Sequence, residues 1–185
     1  MKRVVVTGLG VVTPIGNDVQ TYWSNLKNGV MGIDFITKFD TSDFKVKLAA
    51  EVKNFIPLDY MEKNEARKSD LFSQYAVAAA VQAMNDSGLQ GKVDSSRLGV
   101  YVGSGIGGMQ TFVSESYKLK DGGPRKVSPF FIPMMISNMA SGNIAIRFQA
   151  QGPTLPIVTA CATSSHSIGR SEERRVGKEC TSWCR

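Results

Sequence analysis

Thr154-Leu155-Pro156-Ile157-Val158-Thr159-Ala160-Cys161-Ala162-Thr163-Ser164-Ser165-His166-Ser167-Ile168-Gly169 is the stretch on which the chain turns. Residues 154–159 have the length and composition of a short strand. Ala160 and Cys161 make a tight turn into a helix. Such a turn exposes the sulfur at the carboxyl end of the strand. The helix N-terminus adds unpaired N–H groups and a partial positive charge, which favour a thiolate. The same N–H groups suit a developing oxyanion. A thiolate accepts an acyl group from a thioester at little free-energy cost, because one thioester replaces another.

An isolated Cys is more often a small buried hydrophobe than a nucleophile. Here Ala160 and Ala162 leave room around the sulfur, and Thr163, Ser164 and Ser165 offer hydroxyls. His166, the only histidine, follows Cys161 by five residues. At roughly 100° per residue it falls on another side of the helix, so a Cys–His dyad is not expected. His166 reads as structural, hydrogen-bonded beneath the site. A cysteine hydrolase would need that histidine as base and ranks last among the alternatives. A non-catalytic module ranks between it and acyl transfer.

Outward from this stretch, strands alternate with helices. Residues 3–7 read as a buried strand, 19–27 as a helix capped by Asn17 or Asp18, and 47–55 as extended. Ser69-Asp70 opens the clearest helix, with Phe72, Tyr75, Ala76, Ala79, Ala80, Ala83 and Met84 at helical spacing and Ser87-Gly88 as its stop. Its alanine-rich face predicts close packing against a sheet or another helix. Residues 98–102 read as a strand, 103–108 as a Gly-rich turn, 109–118 as a helix, 130–133 as a loop and 134–148 as a helix. The class is α/β, with a mainly parallel sheet.

Two Gly clusters are tested as nucleotide loops. Gly8-x-Gly10 lacks the third Gly. Gly103-x-Gly105-x-x-Gly108 has the spacing but no acidic residue about 20 positions on. Neither is followed by Gly-Lys-Ser/Thr. Both read as tight turns, and no cofactor is expected. The three cysteines form neither a disulfide framework nor a paired zinc pattern, so no metal is expected. The formal charge of +6 on 185 residues is dispersed, without the basic runs of a nucleic-acid tail. No apolar run reaches the ~18 residues of a membrane span. A cytoplasmic protein without nucleic-acid or membrane partners is the expectation.

Four separated motifs resemble those of the beta-ketoacyl-acyl-carrier-protein synthases, particularly the type II elongating enzymes. They are Val4-Val5-Val6-Thr7-Gly8-Leu9-Gly10-Val11-Val12-Thr13-Pro14-Ile15-Gly16, Gly103-Ser104-Gly105-Ile106-Gly107-Gly108, Ser128-Pro129-Phe130-Phe131-Ile132-Pro133 and Thr159-Ala160-Cys161-Ala162-Thr163-Ser164-Ser165-His166. The resemblance covers residues 2–169. It implies the N-terminal half of the thiolase fold, a layered αβαβα arrangement with a mainly parallel five-stranded sheet, incomplete here. It implies fatty acid biosynthesis: an acyl chain loaded from acyl carrier protein onto Cys161, then elongated by decarboxylative Claisen condensation with malonyl-acyl carrier protein. Ile106 would line the acyl pocket, and Phe131 would reach the partner subunit's pocket in a homodimer. Arg67, Lys68, Arg125 and Lys126 match docking charges for the acidic carrier protein. The family's two further histidines, its lysine and its Phe–Gly-rich loop have no counterpart here, so condensation by this chain alone is not expected. The ketosynthases of polyketide assembly share the Cys motif and remain an alternative.

After Gly169 the texture changes. Residues 170–185 hold five Lys or Arg, three Glu, and two of the three Cys, with almost no apolar periodicity. Residues 170–180 read like a translated sequencing adapter. The expected organisation is a truncated synthase domain over 1–169 and a non-native tail over 170–185.

Overall fold

The computed structural model describes residues 4–175; most of the expected tail, residues 176–185, lies outside the described residues. The helices are α1 (Val19–Lys27), α2 (Lys63–Arg67), α3 (Leu71–Ser87), α4 (Met109–Gly122), α5 (Phe131–Met135), α6 (Met139–Arg147) and α7 (Thr163–Arg175). The strands are β1 (Asp34–Phe35), β2 (Leu48–Ala49), β3 (Val100–Tyr101) and β4 (Thr154–Leu155).

Helix α3 is the centre. Asp70 caps its first turn and Gly88 ends it in the left-handed conformation. Ser73, Val77 and Ala78 are its most buried residues, a face between the apolar positions read from the sequence. Helix α6 packs along it through small residues: Ala140 and Ser141 are buried, and Asn143 Nδ2 donates to Ser73 Oγ at 2.9 Å. Met61, Val77, Val100 and Ile144 form the core cluster. Helix α6 also reaches β3 and β4, and α7 packs on β3.

The close packing expected of the alanine-rich face against a sheet or another helix is made there by the N-terminal segment, which is neither. At Gly10 a β-carbon would fall 1.9 Å from the Ala79 carbonyl oxygen. Only a residue without a side chain lets the two backbones meet there. Helix side chains then satisfy the segment's amides: Leu9 N–H donates to Asp86 Oδ2 and Val11 N–H to Gln82 Oε1.

Four expectations change. The run over 3–7 is not a buried strand: Val5 and Val6 are exposed, and no strand among the described residues pairs with 4–7. A strand is a pairing as much as a propensity, and this run has no strand partner among the described residues. For the same reason the α/β class holds without the five-stranded sheet. Among the described residues there is one parallel pair, β3 with β4, and one antiparallel pair, β1 with β2. The segment 130–133 opens helix α5 rather than a loop. The helix expected over 134–148 is broken: Met135 O accepts the Gly108 N–H at 2.8 Å, and Ile136 turns extended.

Asp70 couples two helices. While capping α3 through Phe72 N–H, its Oδ2 accepts the Thr111 N–H at 2.9 Å and the Thr111 hydroxyl at 2.6 Å. Both Asp70 and Thr111 are buried. Asp70→Ala removes caps at both helices and leaves the Thr111 groups unsatisfied. A loss of about 2–3 kcal/mol is expected, read as a lower urea midpoint; Asp70→Asn should recover part of it.

Candidate active site

Cys161 sits in a 3₁₀ turn, Ala160–Ala162, between β4 and α7. It is exposed and free, as the strand-to-helix reading requires. Ala160 carries the strain of the turn, with φ +49°. This left-handed region costs a residue with a β-carbon about 1–2 kcal/mol. The neighbours hold it there. Thr159 N–H donates to Thr163 Oγ1 at 2.9 Å, Ala162 N–H donates to Thr159 O at 3.1 Å, and the Ser167 hydroxyl donates to Thr163 O at 2.9 Å. Thr163 and Ser167 are buried while Cys161 points outward.

The turn rests on the end of β3. At Gly103 a β-carbon would fall 1.9 Å from Ile157 O and 2.3 Å from Thr163 Cγ2. The 103–108 turn that follows is internally braced by Gly107 N–H donating to Ser104 Oγ at 2.9 Å. It is tied to α5 by the Gly108–Met135 hydrogen bond. The Gly-rich turn therefore joins the elements that carry Cys161, Ile106 and Phe131.

Ile106 stands at the tip of this turn, 71% exposed. Phe131, half-buried, opens α5 with its ring 6.3 Å from that of Phe112 on α4. A cleft of about 550 Å³ runs between β4 and α7, lined by Leu155, Ile157, Ser165, His166 and Gly169 among others; Cys161, Ile106 and Phe131 do not line it. His166 makes the expected hydrogen bond, Nδ1 to Thr159 Oγ1 at 2.8 Å. It lies exposed on the surface rather than beneath the site, because α7 turns it to the cleft side. No hydrogen bond among the described residues joins it to Cys161, and no group of His, Cys, Asp and Glu there could hold a metal ion.

Arg67, Lys68, Arg125 and Lys126 are all exposed. Lys68 Nζ lies 4.8 Å from the centre of the Phe130 ring, a cation–π contact beside Phe131. Arg125 and Lys126 stand on a short 3₁₀ turn packed on α4. Between these groups, the buried Glu115 accepts the Ser128 N–H at 2.7 Å and the Lys118 ammonium at 2.6 Å. It thereby fixes the start of the Ser128–Phe131 segment. Sequence reasoning missed Glu115, the reach of Asp70 to Thr111 and the Thr159–Thr163 bridge. Their signals are long-range or lie within common polar residues.

The sequence model described as beta-ketoacyl synthase, N-terminal domain, matches residues 1–174. The 3-oxoacyl-[acyl-carrier-protein] synthase 2 of Staphylococcus aureus (strain COL) is 52% identical over 171 residues, covering 92% of this chain and 41% of that protein. The synthase of the same name from Coxiella burnetii (strain RSA 493 / Nine Mile phase I) is 47% identical over the same shares. The chain thus spans about two fifths of these relatives. Among solved structures, the ishigamide ketosynthase/chain length factor superposes with a TM-score of 0.83 at 29% identity, over 94% of this chain and 44% of that one. A type II polyketide ketosynthase in complex with its acyl carrier protein gives 0.80 at 26%, over 96% and 48%. The fold is the N-terminal half of the ketosynthase fold.

The lysine and amide contacts of Glu115 hold its carboxyl below the ordinary value of 4.5. A depressed carboxylate stabilises the fold above the unfolded value, and that contribution is lost as pH falls through the folded value. Acidification below about pH 4.5 should therefore free the Ser128 amide. Hydrogen exchange there, normalised to α3 amides, is expected to accelerate, and Glu115→Gln should reproduce part of the acceleration at neutral pH.

Proposed function

This chain belongs to the beta-ketoacyl synthase family, of which it carries the N-terminal domain, and from that membership we propose that Cys161 is its acyl-accepting nucleophile. The observation that carries the proposal is the exposed sulfur on a strained strand-to-helix turn, braced from beneath by Thr163 and Gly103. The substrate is a fatty acyl chain on acyl carrier protein. The Cys161 sulfur bonds to the thioester carbonyl carbon, negative charge collects on the carbonyl oxygen, and the bond to the carrier's thiol breaks. The departing thiolate takes up a proton from solvent. In the full-length enzyme the acyl chain is then extended with the carbanion released by decarboxylation of malonyl-acyl carrier protein.

Fatty acid rather than polyketide synthesis is supported by the identities: about half with the two synthases named above, under a third with the ketosynthase structures. Ile106 and Phe131 are the acyl-pocket residues, Phe131 acting across a homodimer, and the enzyme works in the cytoplasm without a cofactor. No helix among the described residues is long and apolar enough to cross a membrane. Arg67, Lys68, Arg125 and Lys126 flank the Phe130–Phe131 segment and steer the acidic carrier protein. The only histidine is engaged with Thr159, so the chain alone loads but does not condense. Residues 170–185 are assigned to a non-native extension.

Incubation of the folded chain with octanoyl-acyl carrier protein, followed by peptide mapping by mass spectrometry, is expected to place the acyl group on Cys161 and to find none in Cys161→Ala. Malonyl-acyl carrier protein should remain undecarboxylated. Reversing the four docking charges to Glu should slow loading from carrier protein about tenfold at low salt, leaving loading from a small thioester unchanged. A folded sample with no adduct at Cys161 would favour a non-catalytic binding module.

A further inference from the structure

Resting on the assignment of Cys161 as the loaded thiol, we propose that Thr163 is a positioning residue for acyl transfer, through its side-chain oxygen. Thr163 is buried, and its Oγ1 reaches back beneath the turn to accept the Thr159 N–H at 2.9 Å. That bond closes a five-residue loop with Cys161 at its centre. It resembles the returning half of a capping box, where a side chain inside the helix satisfies the amide at its entrance. The loop needs a clasp because Ala160 is left-handed and Cys161 itself is exposed, so no packing around the sulfur fixes its direction.

The two ends of the Thr163 side chain have separate duties. Its methyl carbon packs against the backbone at Gly103, where a β-carbon would approach to 2.3 Å. Its oxygen holds Thr159, whose own hydroxyl bonds His166 Nδ1. Loss of the oxygen alone leaves the packing in place but frees the peptide groups that orient the Cys161 sulfur and its N–H. Simple alkylation needs only an accessible thiolate. Acyl transfer also needs the carbonyl oxygen aligned with an N–H donor, and small misplacements there are costly.

The test compares Thr163→Val, which keeps the methyl and puts a second methyl in place of the hydroxyl, with Thr163→Ser, which keeps the hydroxyl and removes the methyl. Each full chain is treated with octanoyl-N-acetylcysteamine thioester and, separately, with iodoacetamide, and Cys161 modification is followed by mass spectrometry. Thr163→Val should lose about tenfold or more in acyl transfer while its alkylation rate stays within about twofold of the parent. Thr163→Ser should retain both, a rescue that loss of packing alone does not predict. If the parent chain loads and Thr163→Val loads equally, or Thr163→Ser fails to load, the positioning role is overturned. Should Thr163→Val unfold, shown by circular dichroism and an alkylation rate equal to that in denaturant, the Thr163→Ser arm decides alone. A folded parent that takes no acyl group at Cys161 overturns the nucleophile assignment and the role of Thr163 with it.

Discussion

Two backbones meet at Gly103 with no room for a side chain: a β-carbon there would lie 1.9 Å from the Ile157 carbonyl oxygen. The end of β3 is thereby pressed against both the strand that enters the Cys161 turn and the helix that leaves it. Three consequences follow from this contact. The turn has a rigid floor made of backbone, which deforms less than side chains do. The sulfur is directed away from that floor, towards solvent. The Gly-rich segment after Gly103 must leave in a fixed direction, which brings it to Met135 and the start of α6. A β-carbon at this one position would separate the pieces of the site even if every other residue stayed the same.

Buried carboxylates do a comparable job at longer range. Asp70 faces the amides at the starts of α3 and α4, and Glu115 faces the Ser128 amide and the Lys118 ammonium. An ionised carboxylate is expensive to bury without partners; surrounded by N–H donors it becomes a directional anchor. Asp70 sets α4 relative to the central helix. Glu115, one turn further along α4, fixes the segment that presents Phe130 and Phe131. The basic residues near that segment are free to stay at the surface because the internal anchoring does not depend on them.

Local chemistry was legible in the sequence, and pairing was not. The Asp70 cap, the Gly88 stop and the Gly-rich turn after β3 all declare themselves within a few residues. So does the strand-to-helix setting of Cys161. The run at 4–7 looked like a buried strand because Val is a good strand former, yet its burial depends on neighbours that sequence does not name. The break at Ile136 was hidden for a related reason. Residues 134–148 have a helical pattern throughout, but the Met135 carbonyl is claimed by Gly108, 27 positions earlier. The Thr163 bridge lay in plain sight among the hydroxyl residues after Cys161. Only geometry distinguishes the Thr163 hydroxyl, which closes the turn onto Thr159, from those of Ser164 and Ser165, which face solvent.

The exposure of Ile106 bears on how much of the chemistry these residues hold. An acyl chain gains about 0.8 kcal/mol for each methylene taken out of water, and it gains that only inside a closed apolar wall. At 71% exposure, Ile106 offers one side of such a wall. On the proposed assignment, loading at Cys161 depends mainly on alignment at the thioester, supplied by the turn, and only weakly on the length of the chain delivered. If Ile106 lines the acyl pocket as proposed, chain-length preference comes from groups that close over it. The decarboxylation proposed for the full-length enzyme would likewise need groups other than His166, which is turned to the cleft side and held by Thr159. Acceptance of the acyl group and its selection by length are thus separable in the proposed reaction, with the Cys161 turn assigned to the first.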